Sequence, residues 1–147
     1  MRVGDICGRD VVTVMVSDTV VAAAQQIQEH RSIAAVIVEP GGDDPIPVGV
    51  ITRGDLVGVI ARSPEHIDRL LVEDIVFHPL VTVEEDVTTW RALQRMRDRG
   101  VRQMPVVDEA GILVGIVTID DFVVHIGEML GGLSRIITAQ SGRDAAI

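Results

Sequence analysis

The chain is poor in aromatic residues and contains no lysine. Its 147 residues include one Trp, two Phe and no Tyr. Proteins that hold single-stranded nucleic acid stack the bases on aromatic faces, so this composition disfavours that class. All thirteen cationic residues are arginine, and the formal net charge is −9. Because binding to a polyanion requires clustered cations, we expect no nucleic-acid partner.

Cysteine and long apolar runs are also scarce. Cys7 is the single cysteine, so no internal disulfide can form, and a reducing compartment is favoured. Residues 1–5 lack the apolar run of a signal peptide. No uninterrupted apolar stretch reaches the roughly 18 residues typical of a membrane-spanning helix. We therefore expect a soluble cytoplasmic protein without a membrane segment.

What the chain does contain is a duplicated motif of the form Gly-h-h-Thr-x-x-Asp, where h is apolar. It occurs at residues 49–55 and again at 115–121. Branched apolar residues around a glycine are typical of a short buried strand. A threonine followed three residues later by an acid predicts a helix start, because the hydroxyl accepts from an orphan backbone N–H and the carboxylate reaches back. The motif therefore predicts two equivalent strand-to-helix turns.

The flanking sequence supports a duplication of the whole unit. Asp5-Ile6 recurs as Asp74-Ile75, at an offset of 69 (74 minus 5), and Val12-Thr13-Val14 recurs as Val81-Thr82-Val83 at the same offset. The offset falls to 66 at the motif glycines (115 minus 49), because the Gly/Pro-rich loop 39–47 carries three extra residues.

Each copy reads as strand, helix, strand, strand, helix. We therefore predict an α/β (α+β) fold with two βαββα repeats related by pseudo-two-fold symmetry. The predicted repeats are residues 1–62 and 63–127, and residues 128–147 form a C-terminal helix extension with a frayed tail from Ser141 to Asp144.

The last helix carries an apolar stripe. Its members are Phe122, Ile126, Met129, Leu130, Leu133 and Ile137. Three interior glycines weaken this helix by about 1 kcal/mol each relative to alanine. Such a helix requires packing for its stability, and the stripe is large for a free surface. We therefore predict a homodimer.

The duplicated pattern strongly resembles a tandem pair of cystathionine β-synthase (CBS) domains, also called a Bateman module, over about residues 3 to 127. The second copy is the cleaner one, because residues 99–108 are similar to the family's helix end and Pro-Val strand. The first copy has Val36 where the second has Pro105, and it also has the loop insertion.

The resemblance implies a regulatory, non-catalytic module that binds adenosine-containing ligands (AMP, ADP, ATP or related compounds) in clefts between the two sheets. It places the ribose hydroxyls on Thr52 and Asp55 in one cleft and on Thr118 and Asp121 in the other. The second motif is preferred because its strand matches the family better. The resemblance further places the base beside Thr13, Ala34 and Ala35 in one copy, and beside Thr82, Met104 and Pro105 in the other. It implies a flat dimer, no required cofactor, and an unidentified downstream protein as the regulated partner.

Simpler interpretations stay open beside this one. Each Thr-x-x-Asp can be a helix cap and nothing more. Arg53 and Arg102 are candidate phosphate contacts, or they are solvated surface residues. An alternative function is a structural or protein-interaction module with empty or vestigial clefts. A nucleotide hydrolase is disfavoured, because we find no catalytic constellation and the four histidines lack metal-ligand spacing; we expect no catalytic residues and no metal.

Overall fold

The computed structural model describes residues 1–75 and 78–146. The first half contains α1 (Val3–Ile6), β1 (Thr13–Met15), α2 (Val20–Glu29), β2 (Ala34–Val38), β3 (Pro47–Thr52) and α3 (Arg53–Arg62). The second half contains α4 (Val72–Ile75), β4 (Val83–Glu84), α5 (Thr89–Arg99), β5 (Gln103–Val107), β6 (Leu113–Thr118) and α6 (Ile119–Ala146).

The strands form two three-stranded sheets with the same topology, β1-β2-β3 and β4-β5-β6. In each sheet the middle strand pairs parallel with the first strand and antiparallel with the third. The predicted α/β fold of two βαββα repeats is therefore confirmed. The first strand of each repeat begins one or two residues later than the sequence pattern indicated, at Thr13 and Val83.

The loop insertion of the first repeat lies between β2 and β3. Eight residues (39–46) connect these strands, whereas five (108–112) connect β5 and β6, which is the predicted difference of three. The longer loop also reaches the other repeat, because the Pro45 carbonyl accepts a hydrogen bond from Leu113 N at 2.8 Å. The insertion thus ties the first repeat to the start of β6.

The two repeats exchange short segments. Val3 N in α1 donates to Val87 O at 2.9 Å, so α1 packs on the second repeat. In the opposite direction, Val72 N in α4 donates to Asp18 O at 2.9 Å. Val3 is accordingly part of the second repeat's apolar core and Val72 part of the first repeat's. Each core is therefore completed by a segment that lies outside its own βαββα unit.

The apolar positions of α5 are only partly buried. Met96 lies in the core, whereas Trp90, which falls in the same helical pattern, is 66% exposed. The helix ends as expected at Gly100, which has a left-handed backbone (φ 65°) and donates to the carbonyls of the last turn. Glycine adopts this conformation without steric cost.

The helix α6 is longer than predicted. It runs for 28 residues, so the segment from Ser141 to Asp144, predicted to be frayed, is helical instead. No proline follows Leu133, and the one glycine in this stretch, Gly142, costs about 1 kcal/mol, which is too little to end a helix that is already propagating.

The same helix also qualifies the expectation that the chain has no membrane segment. Residues Ile119–Arg143 form one helix that, by length and composition alone, could cross a membrane, and little of it is buried in the protein.

Candidate functional site

Both Thr-x-x-Asp motifs fold as strand-to-helix turns with reciprocal hydrogen bonds. Thr52 N donates to Asp55 Oδ2 at 2.8 Å, and Asp55 N donates to Thr52 Oγ1 at 3.1 Å. The corresponding distances at Thr118 and Asp121 are 2.8 and 3.4 Å. The Thr118 hydroxyl also donates to Asp121 Oδ2 at 3.2 Å. Both motifs therefore cap their helices, as the sequence pattern predicted.

Each helix cap uses one of the two carboxylate oxygens of its aspartate. Both aspartates receive the backbone N–H through Oδ2. The other oxygen of Asp55, Oδ1, faces His78 Nε2 at 3.5 Å, and the Asp55 side chain is 20% exposed. An ionised carboxylate has about four acceptor positions, so Asp55 can cap α3 and still accept hydrogen bonds from a ligand.

The first motif opens into a cleft of about 700 Å³ between the repeats. The first half contributes Ile33, Val50, Thr52, Arg53, Gly54 and Asp55, and the second half contributes His78, Pro79, Leu80, Val81, Arg99, Gly100, Val101, Arg102, Gln103 and Asp120. The lining combines aliphatic and charged side chains. Such a combination suits a ligand with an apolar body and a charged end.

Most of the charged side chains that line the cleft are arginines or aspartates. Arg53, Arg99 and Arg102 lie in the lining together with two carboxylates, Asp55 and Asp120. Three of the thirteen cations of a chain with net charge −9 are therefore gathered around one cavity. Guanidinium groups bind carboxylates and phosphates through paired N–H donors, so the cleft suits a ligand with an anionic group.

Sequence reasoning identified two of these arginines and missed the third. Arg53 and Arg102, which were candidate phosphate contacts, lie in the lining. Arg99 was interpreted only as part of a helix end. Arg99 directly precedes Gly100, which ends α5 with a left-handed backbone. A cation at the predicted end of that helix was the sequence feature that pointed to Arg99. His78 and Asp120 were not identified either, because they approach the motif from the other repeat.

The six residues predicted to contact a base lie outside the lining of this cleft. Ala34, Ala35, Met104 and Pro105 are buried in the middle strands, Thr13 is exposed on β1, and Thr82 is half-buried. The nearest lining residues are their chain neighbours, Ile33, Val81 and Gln103. The predicted contact of the six with a base stays a prediction.

The backbone carbonyl of Thr82 is held by a neighbouring arginine. Its carbonyl accepts from Arg95 Nη1 at 2.7 Å, and the same nitrogen pairs with Glu84 Oε2 at 3.2 Å. A backbone hydrogen bond, together with the bond from Arg95, lowers the pKa of the Glu84 carboxyl. These contacts hold the backbone in place where β4 begins.

The surroundings of the second motif differ from those of the first. Gly8 and Ile116 exchange backbone hydrogen bonds of 2.9 Å, so the N-terminal segment lies along β6. Arg9 corresponds to His78 at the repeat offset of 69 (78 minus 9). Its guanidinium donates to Gly4 O at 2.9 Å and pairs with Glu85 Oε2 at 3.2 Å. The cation next to the second motif is thus already paired within the protein.

Cys7 lies close to the second motif. Burial raises the pKa of the Cys7 thiol; nearby Arg9 opposes this shift, and the charges of Asp121 and Glu85 add to it. A thiol with a raised pKa is a poor nucleophile. Within residues 1–75 and 78–146, no three His, Cys, Asp or Glu side chains are grouped as metal ligands would be.

Comparison with known proteins identifies the duplicated unit. The family described as CBS domain matches residues 3–62 and 72–128. An uncharacterized protein of Methanopyrus kandleri is 38% identical over 121 residues, which cover 82% of this chain and 60% of that protein. The chain therefore spans about three fifths of the length of this curated relative.

Two similar solved structures contain adenosyl compounds. One is the CBS domain pair of protein MJ0100 in complex with 5′-methylthioadenosine and S-adenosyl-L-methionine, with a TM-score of 0.73 and 26% identity, covering 90% of this chain and 97% of that chain. The other is the CBS domain protein PAE2072 from Pyrobaculum aerophilum complexed with AMP, with a TM-score of 0.74 and 25% identity, covering 82% of this chain and 89% of that one.

Proposed function

We propose a function from the premise that the chain belongs to the CBS domain family and contains this domain twice, as a tandem pair. On this premise we propose that it is a regulatory module that binds an adenosine-containing ligand, such as AMP, ADP or ATP, and carries out no catalysis itself. The observation that carries the proposal is the cleft between the repeats, where the Thr52–Asp55 turn lies with three arginines.

The chemistry of the cleft matches the parts of such a ligand. A ribose offers two vicinal hydroxyl donors, and Asp55 has an oxygen outside the cap to accept them. Leu80 and Val81 supply an apolar wall for a base. The arginines supply bidentate donors for phosphate. MJ0100 and PAE2072, which share this fold, are known in complex with adenosyl compounds, and this supports the same ligand class here.

Regulation follows from the position of the cleft. Its lining comes from both repeats, so a bound ligand contacts both. A ligand that fits one relative arrangement of the repeats better than another shifts the population toward it, by no more than its differential affinity. The regulated protein would be one that recognises this arrangement.

Calorimetry with adenosine, AMP, ADP, ATP and S-adenosylmethionine tests the proposal. A ligand present at 100 times its dissociation constant should also stabilise the protein by about 2.7 kcal/mol in thermal unfolding. If none of these compounds binds, the module is a structural or protein-interaction module with unused clefts. If a compound binds and is converted, product analysis will reveal it, and the non-catalytic assignment is wrong.

We further infer that the chain forms a homodimer. The support is the apolar stripe of α6, whose members Ile126, Leu130, Leu133 and Ile137 are all exposed. A contiguous exposed apolar surface of this kind is typical of an interaction site.

A further inference from the structure

The imidazole ring of His78 lies against the carboxylate that the ribose of a ligand would use. Its Nε2 atom is 3.5 Å from Asp55 Oδ1, whereas the backbone N–H of Thr52 donates to the other oxygen, Oδ2. The side chain of Asp55 is 20% exposed and that of His78 is 76% exposed. The carboxylate is therefore fixed by the helix cap, whereas the ring stands largely in solvent and can turn away from it.

The sequence explains why the ring faces Asp55. His78 corresponds to Arg9 at the repeat offset of 69 (78 minus 9), and Arg9 pairs with Glu85 Oε2 at 3.2 Å. At the same offset, Glu85 corresponds to Val16 (85 minus 16), which is apolar. The first repeat thus offers no carboxylate at the position that holds Arg9 in the second, and the carboxylate that faces His78 is Asp55.

The charged groups of the cleft differ in how they respond to pH. Besides His78, the charged groups in the lining are Arg53 and Asp55 of α3, Arg99 of α5, Arg102 just before β5, and Asp120 of α6. Arginine keeps its charge in proteins, carboxyl groups ordinarily titrate near pH 4, and histidine ordinarily changes its charge between about pH 5 and 8. Histidine is therefore the residue type in this lining that can change its charge within that range.

We propose that His78 makes ligand binding in the cleft dependent on pH, because its protonated ring competes with the ribose hydroxyls for Asp55 Oδ1. The proposal rests on the proposed function and concerns the regulation of the same site. When the ring is neutral, Oδ1 is available to accept hydrogen bonds from the ligand. When the ring is protonated, it pairs with the carboxylate, and the ribose must displace it. A ligand that reaches Asp55 through its ribose therefore binds more weakly at acidic pH.

The exposure of His78 limits the size of this effect. Exposed ion pairs change an equilibrium constant by up to about 5-fold. We therefore expect the dissociation constant of adenosine to rise by up to about 5-fold as the pH falls from about 8 to about 5.5. The rise should become small at about 1 M salt, where charges are screened over about 3 Å. Adenosine is the appropriate probe, since the phosphate of AMP itself titrates near pH 6 and would be attracted by a protonated ring.

Calorimetry with two substitutions of His78 tests the competition. His78→Gln replaces the ring by a polar side chain that does not titrate, and His78→Arg supplies a permanent cation, as Arg9 does beside the second motif. We expect His78→Gln to bind adenosine at both ends of the pH range about as tightly as the parent does at the alkaline end. We expect His78→Arg to bind at both ends about as weakly as the parent does at the acidic end.

His66→Gln is the matched control. His66 is exposed and lies outside the lining of the cleft, so this variant should keep the pH dependence of the parent. Circular dichroism at both ends of the range checks that each variant remains folded.

The outcomes separate this proposal from the proposed function. A pH dependence that persists in His78→Gln would assign it to another group and overturn the proposal, as would tighter binding of adenosine by the parent at acidic pH. If AMP binds and adenosine does not bind at either pH, the ribose contact does not govern affinity; the proposal is then wrong and the proposed function stands. If none of the adenosine-containing compounds binds at either pH, both fail together.

Proton release provides a second measurement of the same competition. Because protonation weakens binding, binding must in turn favour loss of the proton. We expect adenosine binding to the parent at about pH 6.5 to release a fraction of a proton, which makes the calorimetric enthalpy depend on the ionisation enthalpy of the buffer. His78→Gln should show no such dependence. Proton uptake by the parent would mean that the ligand favours the protonated ring, and it would overturn the proposal.

Discussion

The two repeats have the same topology and the same capped turn, yet they present that turn to different surroundings. In the first repeat, Asp55 faces the exposed His78 and lines a cleft of about 700 Å³. In the second, the N-terminal segment lies along β6, and Arg9, the counterpart of His78, is paired with Glu85. The repeated local geometry therefore does not make two equivalent sites. The segments that each repeat receives from the other make the two sites different.

Ligand affinity gives the largest expected difference between the repeats. Asp55→Ala removes an acceptor for the ribose hydroxyls, and a hydrogen bond to a charged group is worth about 1.5–3 kcal/mol. We expect AMP to bind about 10- to 150-fold more weakly by calorimetry. Asp121→Ala, which removes the same cap from the second turn, should leave the affinity nearly unchanged. The opposite result would locate the ligand at the second motif, as the strand pattern of Met104-Pro105-Val106 predicts.

The exchanged N-terminal segment makes the second repeat sensitive to overpacking. A Cβ added to Gly115 would lie 2.7 Å from Gly8 O and 2.8 Å from Cys7 Sγ, so this segment must shift. Overpacking of this kind costs about 1–3 kcal/mol, which urea denaturation of Gly115→Ala measures. Gly127→Ala is the matched control, because its Cβ meets nothing within 4 Å and should stabilise the helix. Equal stability of the two variants would show that the segment does not hold the second repeat.

The capping function should be equal in the two repeats, in contrast to ligand binding. Thr52→Ala and Thr118→Ala each remove one side-chain acceptor from a helix N-terminus, with an expected loss of about 1 kcal/mol in unfolding free energy. Thr138→Ala serves as a control, because its hydroxyl donates to Ser134 O within α6 and its loss should change stability little. A much larger loss at Thr118 than at Thr52 would mean that the Thr118 side chain stabilises the second repeat through contacts other than the helix cap.

Charge recognition should give the smallest effect. Arg53 and Arg102 are exposed at the cleft, and solvent-exposed ion pairs contribute up to about 1 kcal/mol. Replacing either residue by alanine should weaken AMP binding by up to about 5-fold, less at high salt, and should leave adenosine binding unchanged. Arg135→Ala on α6 is the control. Equal losses for AMP and adenosine would indicate that the arginines do not contact phosphate.

The parts of the fold that were predicted correctly depend on local patterns. The order of strands and helices, the capped turns, the helix end at Gly100 and the three-residue insertion each follow from residues within one short segment. The exposure of Trp90 and the helical continuation of α6 did not follow in this way. They depend on which face of each element another part of the chain covers, and Arg99, His78 and Asp120 reach the cleft only because the repeats pack together.

The sequence by itself determined a duplicated βαββα unit, the two Thr-x-x-Asp turns and an apolar stripe along the last helix, because these are properties of residues a few positions apart. Only the tertiary structure decided which turn opens into a cavity and where the stripe becomes uncovered. The reason is that α1 and α4 pack on the opposite repeats, so the surroundings of each turn come from distant parts of the chain: His78 follows Asp55 by 23 positions (78 minus 55), and Cys7 precedes Asp121 by 114 positions (121 minus 7). A repeat pattern contains no information about that exchange.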